Sequence, residues 1–442
     1  MRDLTSSPEV ARVEDASVDP VTEKEIARVL EEPLDADAAV RVALANSREL
    51  RASLREIGVP RGRWIQAGLL PNPRAELEIL PERNSQFELR LEYDLTHALL
   101  APWRAEAAAP ALEAARFRAA REVVALGYRV RAAFWRLQAT TQKLALAQQA
   151  LDAFAAGRDA ARALEQAGNV RELERASQEL AYEKARIVAA TLELRVAEER
   201  EALARLLSLH GDEVKLVLRG RLPDVPAEVP AAADVETRAL RASLELRETK
   251  SRLEGLARQT GVAKKAGWLP DVAVDVHVLT GDPDAVDKER EWRVGAGVSA
   301  TLPIFDRNQG TVVATEAEFD ATLERYYGLA VDVRSAARQA RSRLVSAHAR
   351  AKQYTDVILP AQTKVTEATL LQYNAMQIGV FELLEARRQE LSAHMDSVET
   401  LREYWSARAA LDALLAGARV ALPEEAESSS LSMGAGAKAG DH

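Results

Sequence analysis

Residues 323–368 read LERYYGLAVDVRSAARQARSRLVSAHARAKQYTDVILPAQTKVTEA. Stepping alternately by three and four through this stretch meets only apolar side chains: Leu323, Tyr326, Ala330, Val333, Ala337, Ala340, Leu344, Ala347, Ala351, Tyr354, Ile358, Ala361, Val365 and Ala368. That is an a/d heptad seam, the period of a left-handed coiled coil. Half of its knobs are alanine, so a partner helix can come close. If helical from Gln309 to Ala375, the segment is about 100 Å long at about 1.5 Å per residue. A compact globular domain needs no such helix. After a turn near Tyr373 to Gly379, Leu384, Leu391, Val398 and Trp405 recur seven apart. Gly310 to Gly417 therefore reads as one long antiparallel helical hairpin.

The first half of the chain carries the same pattern. Helix resumes near Ala101 and runs to about Ala167, Gly168-Asn169 marks a turn, and Leu173, Leu180, Ile187 and Leu194 space a return seam. Fragments repeat at nearly constant offsets. Ala43-Leu44 and Glu49-Leu50-Arg51 return as Ala239-Leu240 and Glu245-Leu246-Arg247. Ala67-Gly68-Leu69-Leu70-Pro71 returns as Ala266-Gly267-Trp268-Leu269-Pro270. Gly168, Leu173, Glu174 and Leu180 return as Gly379, Leu384, Glu385 and Leu391. The chain is an internal duplication. Its expected plan is an unstructured lead-in over 1–33, a first repeat over 34–209, a Pro/Gly-rich linker over 210–232, a second repeat over 233–417 and an unstructured tail over 418–442.

Between the short opening helices and the long ones, the period falls to two. Leu77 and Ile79 alternate with Glu76 and Glu78. Phe87, Leu89, Leu91 and Tyr93 alternate with Glu88, Arg90, Glu92 and Asp94. In the second half Val272, Val274, Val276 and Val278 alternate with Ala273, Asp275 and His277, and Trp292, Val294, Ala296 and Val298 alternate with Arg293, Gly295 and Gly297. Each half thus holds a strand pair with one apolar and one polar face. Four strands cannot close a barrel, and open sheet edges cannot lie in lipid. If the strands cross a membrane, other copies of the chain must complete the sheet, and three copies give an even number suited to a barrel.

Composition narrows the function. The chain has 442 residues, 47% apolar but 5% aromatic, with a formal net charge of −9. Interleaved Arg and Glu suit long solvated helices, and the acidic balance argues against nucleic acid as a partner. The absence of cysteine excludes disulfides and thiolate chemistry. No run of eighteen apolar residues offers a transmembrane helix, and residues 1–33 lack the pattern of a signal peptide. The six histidines show no metal-ligand spacing. Gly295-Ala296-Gly297 lies within a strand pattern, so it is no dinucleotide fingerprint. No catalytic constellation, cofactor site or metal site is expected. A soluble coiled-coil scaffold remains the alternative to a membrane channel, but a scaffold needs no matched strand pairs.

From about Leu34 to Gly417 the chain resembles the TolC family of outer-membrane efflux channels. The residues that carry the resemblance are Ala67 to Pro73 leading into a strand, Leu302-Pro303-Ile304-Phe305-Asp306-Arg307-Asn308-Gln309-Gly310 leading from strand to helix, and Tyr373 to Met376 with Glu382 to Arg387 at the second turn. The resemblance implies a homotrimer with a twelve-stranded barrel in outer-membrane lipid and an α-helical tunnel in the periplasm. It also implies docking onto a periplasmic adaptor and an inner-membrane pump of the RND or a similar type. The Pro303 to Gly310 run looks most like the heavy-metal, CzcC-like branch.

The resemblance implies roles for several residues. Glu382 and Glu385 match carboxylates that ring the tunnel mouth, with Glu174 as the first-repeat counterpart; the plain alternative is a solvated charge on a helix turn. Gly168, Asn169, Val170, Met376, Gln377, Ile378 and Gly379 fall at the hairpin tips as adaptor contacts, or as ordinary turn residues. Met376 replaces the family's usual glycine, with Gly379 slightly later, so the second tip is expected to turn differently from the family's. Glu76, Glu78, Glu88, Glu92, Asp94 and Asp275 outnumber Arg90 and Arg293 on the expected lumen face, which favours cations.

Overall fold

The computed structural model describes residues 28–29, 32–80, 86–210, 216–228, 234–280 and 292–420. The expectations for the lead-in 1–33 and the tail 418–442 fall almost wholly outside these residues, and the linker 210–232 does so in part.

The described chain is mostly helix, with one small sheet. Three short helices open it: α1 (Ala36–Asn46), α2 (Arg48–Glu56) and α3 (Gly58–Gly68). Asp35 caps α1 by accepting the Ala38 N–H at 2.6 Å, which fixes its first turn. Strands β1 (Arg74–Leu80) and β2 (Gln86–Asp94) precede α4 (Leu95–Gln166) and α5 (Glu172–Leu206). The second repeat follows the same order. It comprises α6 (Val235–Ala242), α7 (Leu244–Trp268), β3 (Asp271–Thr280), β4 (Trp292–Thr301) and α8 (Gln309–Gln353), then a π-helical turn (Tyr354–Ile358), α9 (Leu359–Asn374) and α10 (Val380–Leu415). The breaks after α1 and α6 fall at the equivalent Ser47 and Ser243, whose backbones leave the helical region in the same direction (ψ 117° and 112°).

Two boundaries differ from the periodicity. Helix α4 begins at Leu95 rather than near Ala101, because the Asp94 carboxylate accepts the His97 N–H at 2.6 Å and starts the helix as soon as β2 ends. The long helix from Gln309 is interrupted by the π turn just before Pro360. Proline has no N–H, and its ring crowds the carbonyl four residues back, so the backbone there cannot close an ordinary α turn. The Leu359 N–H reaches instead to the Tyr354 carbonyl.

The chain divides into two compact units that do not coincide with its repeats, since each repeat contributes to both. One gathers the described residues of Ser53–Ala119 and Leu244–Ala330, and it contains the sheet. The strands run antiparallel in the order β1-β2-β3-β4, so pairing of β2 with β3 joins the repeats and leaves β1 and β4 as edges. Thr96 ties the start of α4 to the start of β3: its hydroxyl donates to the Pro270 carbonyl at 2.8 Å and accepts the Val272 N–H at 2.8 Å. The run from Pro303 to Gln309 is knitted by its own bonds, among them Arg307 Nε to the Pro303 carbonyl (3.2 Å) and Gln309 Nε2 to the Phe305 carbonyl (3.0 Å). Gly267 packs against that run so closely that a Cβ would lie 2.0 Å from the Arg307 carbonyl oxygen.

The other unit gathers the described residues of Met1–Ala52, Ala120–Ser243 and Val331–His442. Alanine-rich faces let its helices approach, as in the cluster of Tyr128, Ala132, Ala409, Ala410 and Ala413. A second cluster joins Ala139, Ala351, Val398 and Leu401 to Leu222 of the segment between the repeats. That segment is strapped across the helices. Arg219 and Gly220 accept from Gln138 Nε2 at 2.9 and 3.1 Å, Pro223 from Trp405 Nε1 at 2.8 Å, and Pro226 from His348 Nε2 at 2.8 Å.

Candidate functional site

The sheet inverts the burial of a water-soluble protein. Cross-strand register aligns Leu77, Leu89, Val278 and Val294 on one face, and Ala75, Leu91, Val276 and Ala296 in the neighbouring row. This apolar face is open: Leu77 is 61% exposed, Ile79 65%, Val276 50%, and Val294 73%. The opposite face holds the predicted charges. Arg90 donates to Glu88 at 2.9 Å and lies 3.9 Å from Asp275, which accepts from His277 Nδ1 at 3.0 Å, and Arg74 meets Glu92 at 3.4 Å. Glu76 and Glu78 stand exposed on the edge strand, and Arg293 is in register with Leu279. Asp94 does not join this face as an ion-pair partner; it is spent on capping α4.

The glycines of β4 belong to this charged face. A Cβ on Gly295 would come within 2.3 Å of the His277 ring, and one on Gly297 within 2.4 Å of the Asp275 carboxylate. Both side chains lean across the neighbouring strand into space that only glycine leaves, which accounts for the Gly-Ala-Gly run without a nucleotide.

The two hairpin tips, both in the helical unit, share one geometry. At the first, Gly168 is left-handed (φ 76°), its N–H bonds to the Glu165 carbonyl, and the Asn169 N–H reaches back to Leu164. At the second, Met376 is left-handed (φ 58°), its N–H bonds to Tyr373, and the Gln377 N–H reaches back to Gln372. This is the Schellman arrangement in both cases. The second tip therefore turns like the first, with a methionine 94% exposed in a position that favours glycine. Val170, Ile378 and Gly379 complete the two loops, and α5 and α10 begin after Arg171 and Gly379.

That geometry pairs Gly168 with Met376 and Arg171 with Gly379, so Glu174 corresponds to Glu382 rather than to Glu385. Glu382 folds back over the start of α10, where its carboxylate would lie 2.8 Å from a Cβ on Gly379. Glu385 is held by Arg388, whose guanidinium also lies over the Phe154 ring at 4.6 Å. Glu174 stands exposed in the first turn of α5. The return seam expected on α5 is not covered by its own chain: Leu173, Leu180, Ile187 and Leu194 are 56–78% exposed. Ala189, Val196 and Leu203 face inward instead. Heptad spacing reveals a stripe but not which neighbour takes it.

Comparison with known proteins finds one family model, one curated relative and several solved structures of similar fold. The family model for outer membrane efflux proteins matches residues 236–417, within the second repeat. The cobalt-zinc-cadmium resistance protein CzcC of Cupriavidus metallidurans is 25% identical over 398 residues, 87% of this chain and 90% of that protein. The outer-membrane channel OprN superposes with a TM-score of 0.72 at 18% identity, covering 93% of this chain and 96% of OprN. The outer membrane protein VceC of Vibrio cholerae gives 0.67 at 16%, covering 87% and 96%. The second repeat matches the outer membrane efflux protein family, and the chain has the fold of the outer-membrane channels.

The matched family is one of efflux proteins, and the solved structures of similar fold are outer-membrane channels. Among the described residues, no group of three His, Cys, Asp or Glu is placed to hold a metal ion, and no helix is long and apolar enough to cross a membrane.

Proposed function

We propose that this chain is the outer-membrane channel of a tripartite efflux system, passively conducting substrate delivered by an inner-membrane pump through a periplasmic adaptor. The observation that carries the reading is the sheet. Its apolar face is bare, its charges are gathered on the other face, and both edges are open. A bilayer accepts the first face, water the second, and only pairing with further copies satisfies the edges. Three copies supply twelve strands, an even number within the range of bacterial outer-membrane barrels. Trp268 (75% exposed) and Phe305 (91%), at the helix–strand corners, are the amphipathic and aromatic side chains that anchor a barrel at the lipid–water interface. A soluble coiled-coil scaffold has no use for such a face.

In this reading Glu76, Glu78, Glu88, Arg90, Glu92, Asp275 and Arg293 line a water-filled lumen whose acidic excess favours cations. Glu382, Glu385 and Glu174 repeat around the threefold axis at the tunnel mouth, and the tips Gly168–Val170 and Met376–Gly379 meet the adaptor. The relative named for cobalt, zinc and cadmium resistance points to divalent transition-metal ions as cargo. The test is reconstitution into a planar bilayer under a salt gradient. Discrete conductance with a reversal potential on the cation side is expected; absence of conductance from protein inserted in the bilayer contradicts the reading.

A further inference from the structure

The π turn before Pro360 changes which face of α9 meets α10. An α-helix advances about 100° per residue, so one extra residue in the turn rotates everything after it by that amount. Before the turn the heptad seam is obeyed: Val333, Ala337, Leu344, Ala347 and Ala351 are buried. After it, the residues that continue the heptad, Ala361, Val365 and Ala368, are exposed. Neighbours one or two steps on take the inward positions. Thr366 Oγ1 donates to the Ala386 carbonyl at 3.4 Å, and Thr363 Oγ1 to the buried Glu390 at 3.3 Å. Gln362 Nε2 is buried there with no partner. A polar strip is thus laid against α10 while an apolar strip, with Val357 and Val365 each 51% exposed and Leu371 70% exposed, is turned outward.

That outward strip has a counterpart in the same unit. On α5, Leu173, Leu180 and Ile187 are bare and seven apart; on α9 and the π turn, Val357, Ala361, Val365, Ala368 and Leu371 are bare at steps of three and four. The chain runs away from its tip along α5 and toward its tip along α9, so two such helices side by side are antiparallel. Tip to tip, Leu173 then falls level with Leu371, Leu180 with Val365, and Ile187 with Val357.

We propose that Pro360 and its π turn set the register of α9 so that Val357, Val365 and Leu371 form the docking strip for α5 of a second copy of this chain. This rests on the assembly proposed above and deepens it: the turn assigns one face of α9 to the neighbouring subunit. The consequence is a division of labour along the hairpin. The polar strip holds α9 to α10 weakly within a subunit, and the apolar contact is made between subunits.

The cysteine-free chain makes the test direct. Single-pair variants L180C/V365C, V365C/A386C and T366C/A386C are purified in detergent, sized in their native state, oxidised and run on denaturing gels. Covalent multimers are expected from L180C/V365C, an internal cross-link from T366C/A386C, and none from V365C/A386C. Deleting Thr355 removes the extra residue, and in that background V365C should lose its multimers and cross-link to A386C. The register claim fails if V365C/A386C cross-links in the undeleted protein. The docking claim fails if native trimers form but L180C/V365C yields no multimer. Monomers at native sizing would instead overturn the proposed function, a separate outcome. If the deletion variant does not fold, the three pairs in the intact chain still decide between the registers.

Discussion

Met376 holds a left-handed backbone in which a Cβ costs roughly 1–2 kcal/mol. Glycine relieves that strain but loses more entropy on folding, so Met376→Gly should stabilise the second tip by about 0.5–1 kcal/mol. Slower amide exchange at Gln377 and Ile378 checks it. Gly267 presents the opposite case: Gly267→Ala drives a methyl into the Arg307 backbone, whereas at Gly68 the nearest atom is the Ala105 methyl at 3.2 Å. The first substitution should cost roughly 1–3 kcal/mol as an overpacking defect, the second far less, measured as paired shifts in thermal midpoint. At Glu399, burial opposes ionisation, but hydrogen bonds from Arg402 and Lys143 outweigh it and hold the carboxyl below its usual range. A depressed carboxylate stabilises the fold above its unfolded pKa and loses that contribution as pH falls through the lower folded value. Glu399→Gln should therefore flatten the acid side of a melting-temperature profile while changing neutral stability in the direction of loss. Met376 in place of a usual glycine was legible in the sequence; the effects at Gly267 and Glu399 were not, because each depends on what a distant residue places alongside.

At the scale of elements, the periods were legible and their orientations were not. Alternation at Leu77, Leu89, Val276 and Val294 gives strands with two unlike faces, and the sheet shows those faces. The heptads gave the long helices, but not the slip at Pro360, since an apolar seam reads on unbroken through Ala361 and Val365. Nor could spacing tell that Leu173 to Leu194 points away from its own chain. The sheet makes a direct prediction about lipid contact. Val276→Arg places a guanidinium mid-strand on the bare apolar face and should cost about 2–4 kcal/mol of barrel stability in vesicles. Glu78→Gln, on the other face, should leave the urea midpoint nearly unchanged. Equal sensitivity of the two faces would contradict the orientation assigned here.

For the whole molecule, the duplication explains how one chain supplies both helical hairpins and a sheet whose middle pair comes from different repeats. It also explains what the single chain lacks: two strand edges and a leucine stripe are left without cover. The account holds that these are completed by sister copies in a membrane. Electron cryomicroscopy of the detergent-extracted protein tests this most directly. Three copies sharing one closed twelve-stranded barrel, with Leu77 and Val276 facing the detergent and Glu78 and Asp275 facing the lumen, is the predicted result. A single-copy particle whose sheet buries that apolar face under its own helices would contradict it.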